Sequence, residues 1–124
     1  MNTKNELRML GGSVSGPAFL ANDLMTECRS YRDAVCLAWR QRRSKGMTQR
    51  GLSELCEWYP QHVSDYLSPD DVNPKGQRRR CLPAERIATF EAVVGNRAVT
   101  QFLIRQASLH LMEEMISQQA QAVA

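Results

Sequence analysis

The chain has 124 residues, 43% of them hydrophobic and 23% charged, with a formal net charge of +3, which predicts one domain with a small core and an added arm. No apolar run approaches the roughly 20 residues of a membrane span, and the start lacks the basic stretch and apolar run of a secretory signal, so a cytoplasmic protein with no membrane partner is expected. The four cysteines, Cys28, Cys36, Cys56 and Cys81, form no C-x-x-C pair, and His62 and His110 are far apart, so buried free thiols are expected rather than a metal site.

Residues 1–21 include "GGSVSGPAF", with three glycines, a proline and two serines. This reads as a flexible arm, with packing across a partner subunit as the alternative. A first helix starts between Asn22 and Ser30. Ser30 with Asp33 resembles a capping box, and Tyr31, Ala34, Val35, Ala38 and Trp39 follow at helical spacing. Leu24, Met25 and Cys28 continue a similar spacing and leave an earlier start open. Arg40 to Arg43 suit the negative end of the helix dipole, and Gly46 is the stop.

Thr48 is an N-cap for a second helix, whose inner face is Leu52, Leu55 and Cys56. Gly51 lowers its intrinsic propensity, so tertiary packing must hold it. Pro60 suits a first helical position, and Pro60 to Leu67 reads as a third helix, with Val63, Tyr66 and Leu67 inward, ending before Pro69. Ser68 to Pro83, with three prolines and many charges, reads as a loop. Pro83 opens a fourth helix, with Glu85 in its first turn and Ile87, Phe90, Ala92, Val93 and Val94 as apolar positions; Gly95–Asn96 ends it. A fifth helix runs from about Arg97 to the tail. The fold class is all-α: five helices in all, four of them in a domain over residues 22–96 and the fifth an apolar C-terminal helix over 97–124.

The small net charge hides an uneven distribution. Arg40, Arg42, Arg43, Lys45 and Arg50 occur without an intervening acid, and so do Lys75, Arg78, Arg79 and Arg80. Two basic clusters around a pair of short helices suggest a polyanion. Taken alone, each cluster also fits a solvated loop. Two helices joined by a tight turn form the arrangement in which the second helix enters the major groove and the first braces it.

Thr48-Gln49, Leu52-Ser53, Cys56, Val63 and Tyr66 resemble the motif of the lambda-repressor/Cro-like (XRE-type) helix-turn-helix regulators. "LPAERIATFEAVVGN" is more loosely similar to the segment after the motif in phage CII-type regulators. The resemblance implies a transcriptional regulator that binds double-stranded DNA and carries no cofactor. It implies base reading by Gln61, His62, Ser64 and Asp65, and phosphate contacts by Arg42, Arg43, Lys45, Thr48, Gln49 and Arg50. Arg78, Arg79 and Arg80 form either a solvated loop or a wing-like arm reaching the backbone or minor groove. Gln61, His62 and Asp65 also fit a solvated helix face. Glu57 stands where the family has a left-handed glycine, so a longer or differently shaped turn is expected.

The last helix carries Val99, Phe102, Leu103, Leu109, Leu111, Met112, Met115 and Ile116. A helix this apolar must bury most of its surface. Phe102, Leu109 and Ile116 are spaced by sevens, which fits a helix-to-helix seam. A homodimer on a palindromic site is therefore expected, with Phe102, Leu109, Met112 and Ile116 at its interface; a tetramer remains open. Packing of both faces within one subunit is the alternative. A contact with RNA polymerase is a further partner class. The competing function is a protein-interaction module, an antirepressor or adaptor, that uses the helix pair only as scaffold. No nucleophile paired with a base, no metal-ligand spacing and no Gly-rich phosphate loop points to an enzyme.

Overall fold

A computed structural model describes residues 16–123. The helices are α1 (Asn22–Met25), α2 (Tyr31–Arg40), α3 (Gln49–Cys56), α4 (Pro60–Leu67), α5 (Ile87–Val94) and α6 (Ala98–Val123), with a 3-10 turn at Ala84–Arg86. Among the described residues there is no strand, so the fold is all-α, with six helices where five were expected. The added one comes from the Ser30 region. Ser30 is extended at φ −146°, and its hydroxyl accepts from the Asp33 N–H at 3.1 Å. The Asp33 carboxylate reaches back to the Arg29 N–H at 3.0 Å. This reciprocal cap separates α1, a single turn, from α2.

α2 lies at the centre and packs against α4, α5 and α6. Ala34 and Ala38 are fully buried, and their small side chains let the neighbouring helices approach closely. Val35, Cys36 and Leu37 add to its buried surface. The core continues through Leu52, Val63, Tyr66, Leu67, Leu82, Phe90, Val94, Ala98, Val99 and Phe102.

Thr48 caps α3 by accepting from the Gly51 N–H at 3.0 Å. The buried stripe of α3 runs through Leu52 and Ser53 to half-buried Cys56. Leu55, expected on that face, lies to its side and is 66% exposed. Glu57 takes the left-handed conformation itself, at φ 59° and ψ 40°. The Trp58 N–H then returns to the Ser53 carbonyl at 3.0 Å. The turn, expected to be longer or differently shaped, spans three residues, Glu57 to Tyr59. Pro60 starts α4 as expected, and Val63, Tyr66 and Leu67 face inward.

The turn from α5 to α6 is tightly tied. Gly95 has φ 88°, and a Cβ there would come within 2.8 Å of the Arg43 Cβ. Buried Asn96 donates to the Ala38 carbonyl at 3.0 Å and accepts from the Ala98 N–H at 3.2 Å. The fully buried Glu91 carboxylate accepts from the Thr100 N–H at 2.8 Å and the Thr100 hydroxyl at 2.7 Å, and meets Arg97 at 3.4 Å. A carboxylate at a helix start is favoured by the free N–H groups and the dipole.

Residues 1–15 of the expected arm lie outside the described residues. Residues 16–21 are not loose. The Ala18 N–H donates to the Gly95 carbonyl at 2.9 Å, and the Gln101 side-chain amide brackets Leu20, donating to its carbonyl at 3.1 Å and accepting from its N–H at 3.0 Å. The expected boundary before residue 97 also does not separate α6 from the core. Ala98, Val99 and Phe102 are buried, while Ile104, Leu109, Leu111, Met112, Met115 and Ile116 beyond them are exposed. No helix among the described residues is long and apolar enough to cross a membrane.

Candidate functional site

The starts of α3 and α4 open onto one cleft of about 490 Å³, lined by Gln49, Arg50, Ser53, Glu54 and Pro60. Two features of the chain produce it. Ser53, small and buried, lets the helices cross closely, and Pro60 needs no N–H partner at its end of the cleft. Gln61 is exposed on the first turn of α4, next to Pro60. Arg50 is exposed and pairs with Glu54 on the next turn, at 3.5 Å. His62 is half-buried between aromatic rings, 5.2 Å from Tyr59 and 6.4 Å from Tyr66. Ser64 is half-buried.

Asp65 is elsewhere than expected. It is 5% exposed, and its carboxylate pairs with Arg80 at 3.0 Å and Arg79 at 3.3 Å. Burial alone would push its pKa up. The hydrogen bonds and charge of Arg80, with Arg79, outweigh this and hold it below the ordinary carboxylate value. The carboxylate is thus occupied by two guanidinium groups and is not presented to solvent. The expectation of a base-reading Asp65 is corrected by this pairing, which joins residues 14 and 15 positions apart.

The first basic cluster is largely engaged in holding loops. The Arg42 guanidinium donates to the carbonyls of Met47, Trp39 and Lys45 at 2.9, 2.9 and 3.0 Å, and lies 4.1 Å from the centre of the Trp39 ring. Arg43 donates to the Gly16 carbonyl at 2.7 Å, and Lys45 to the Arg40 carbonyl at 2.8 Å. These bonds fix the chain but do not cancel the charge, which still contributes to the local potential. Gln49 and Arg50 are exposed and line the cleft, Gln61 is exposed next to Pro60, and Thr48 uses its hydroxyl as a cap.

Sequence reasoning missed Arg32. It is buried on α2, and its guanidinium donates to the Asp65 and Ser68 carbonyls at 2.6 and 3.0 Å and to the Arg80 carbonyl at 3.1 Å. It closes the end of α4 and ties the following loop to it. Its only sequence signal is an arginine beside the apolar run of α2.

The cysteines are free thiols, but Cys81 is exposed and Cys28 and Cys56 are half-buried; only Cys36 is fully buried as expected. Burial pushes the thiols of Cys28, Cys36 and Cys56 up. Among the described residues no three His, Cys, Asp or Glu side chains come together as a metal site. Phe102, expected in a dimer seam, is 7% exposed and belongs to the chain's own core, whereas Leu109, Met112 and Ile116 are exposed. Comparison with known proteins finds no matching family model, and no match among the curated proteins or the solved structures.

Proposed function

We propose that this chain is a sequence-specific double-stranded DNA-binding regulator of the lambda-repressor/Cro-like helix-turn-helix kind, acting as a dimer on a palindromic site. The observation that carries this reading is the shared cleft of α3 and α4, with Gln49, Arg50 and Pro60 around it and Gln61 exposed beside it. In this reading α4 enters the major groove and α3 braces it across the backbone. Gln61 has both a donor and an acceptor for the adenine edge, a pairing worth about 1–3 kcal/mol of discrimination. Gln49 and Arg50 hold phosphates, which position the helix but carry no base information. His62, the next residue along, packs beside two aromatic neighbours, Tyr59 and Tyr66. The exposed apolar side of α6 supplies the contact with a second copy.

One observation favours a second reading, a protein-interaction module. Leu55 and Tyr59 are 66% and 70% exposed, and Glu54 and Glu57 beside them are exposed too. An apolar pair with acids suits a basic protein partner better than phosphate.

The test is selection of the purified protein on random-sequence duplex DNA at low and moderate salt. A palindrome enriched with wild-type protein, and lost with Gln61→Ala, supports reading by α4. No binding at either salt removes the regulator and leaves the interaction module.

A further inference from the structure

The segment between α4 and the 3-10 turn, expected to be a loop, is a short hairpin. The Arg79 N–H donates to the Asp71 carbonyl at 2.9 Å and the Asn73 N–H to the Gln77 carbonyl at 2.8 Å. Val72 and Arg78 pair antiparallel between these bonds. At the tip, the Asn73 side-chain oxygen accepts from the N–H groups of Lys75 and Gln77, both at 2.9 Å. Gly76, at φ 80°, completes the turn by donating to the Asn73 carbonyl at 2.8 Å. Lys75 is therefore carried on a built turn.

The hairpin is also fastened. Arg79 and Arg80 at its exit hold Asp65, and Arg32 gathers carbonyls from α4 and from Arg80. Asp65 lies four residues after Gln61, one turn further on the same side of α4. The base of the hairpin thus adjoins the proposed reading face. Its tip and exit limb expose Lys75, Arg78 and Arg80, the last with a side chain 56% exposed; its acids, Asp70 and Asp71, are exposed too and share a cleft with Arg78 at the base, which leaves Lys75 at the tip clear of them.

We propose that residues 71–79 form a wing, a second contact to the DNA backbone made by Lys75 and Arg78 and latched to α4 by Asp65. The inference rests on the DNA-binding reading and adds a role for Asp65 that a carboxylate near DNA does not ordinarily have. An unpaired acid repels phosphate. This one fixes two arginines and orders the hairpin before DNA arrives, which lowers the entropy lost on binding.

The experiment measures affinity against salt for the selected duplex and for random duplex. The Lys75→Ala/Arg78→Ala double variant changes two exposed side chains. It is expected to weaken both duplexes alike, with the slope of log affinity against log salt smaller by about 1.8 and the preference between them unchanged. Asp65→Asn separates latch from charge. Removing an acid strengthens DNA binding if only charge matters; the latch requires weaker binding, with faster amide exchange over residues 71–79. Unchanged affinity and slope in the double variant, or tighter binding by folded Asp65→Asn, overturns the wing. If the wild-type protein binds no duplex, the regulator reading and the wing fall together. If it selects a site but ignores Lys75 and Arg78, only the wing falls.

Discussion

Glu57 and Asp65 each occupy a position that sequence rules disfavour, and each has a measurable consequence. Glu57 is the one non-glycine among the described residues with positive φ. A side chain there costs roughly 1–2 kcal/mol, partly offset because glycine gains freedom in the unfolded chain. Glu57→Gly is therefore expected to stabilise the domain by about 0.5–1 kcal/mol in chemical denaturation; a loss of stability would show that the Glu57 side chain makes a contact worth more than the strain. Asp65→Asn removes the shared partner of Arg79 and Arg80 and is expected to cost about 2 kcal/mol at neutral pH. Because the folded pKa of Asp65 is depressed, its contribution is present above the unfolded value near 4 and is lost as pH falls through the folded value. The stability difference between wild type and variant is thus expected to shrink below about pH 4. A difference that stays constant down to pH 2 removes the ion pairing as its cause. The burial of Asp65 was not legible in the sequence, since its partners lie on a loop whose path depends on Arg32.

Among the elements, the ones bounded by backbone chemistry were read closely. Pro60 and Pro69 delimit α4, Thr48 begins α3, and Gly95–Asn96 separates α5 from α6 because each residue restricts φ or supplies a cap locally. Elements made by distant contacts were not legible. The hairpin at 71–79 has no alternating apolar pattern, and its hydrogen bonds depend on the Asn73 side chain as much as on the backbone. The segment at 16–21 looks free in composition, yet Gln101, 81 positions from Leu20, clamps it. Gln101→Ala is expected to leave the helices intact while amide exchange at Ala18 and Leu20 accelerates at least tenfold. Unchanged exchange at those amides would assign the anchoring to Gly95 and Arg97 instead. The face of α3 was misread at Leu55 because a two-turn helix samples too few positions to define an apolar stripe.

For the whole molecule, the question is what covers α6 beyond the domain. At about 100° per residue, the face on the chain's own core, Ala98, Val99 and Phe102, is displaced from the centre of the exposed apolar side further along. Ile104, Leu109, Leu111, Met112, Met115 and Ile116 occupy roughly half the circumference, with Arg105 and Ser108 among them, opposite Gln106, His110, Glu113, Glu114 and Ser117, which Leu103 joins. A side that broad exceeds a narrow two-helix seam and suits packing against more than one neighbouring helix. Association through it is expected to give a mass at least twice the 14.1 kDa of the chain in sedimentation equilibrium. Met112→Gln/Ile116→Gln, altering only exposed side chains, is expected to yield a folded monomer that has lost most of its affinity for a palindrome but retains contact with a half-site. Phe102→Ala is expected to act differently: it empties a core position and costs about 3–5 kcal/mol of stability. If Phe102→Ala dissociated the assembly without destabilising the fold, the seam would run along the sevenfold spacing after all. If the wild-type chain sediments as a monomer at tens of micromolar, the apolar side of α6 serves a partner other than a second copy, and paired half-sites on DNA lose their basis.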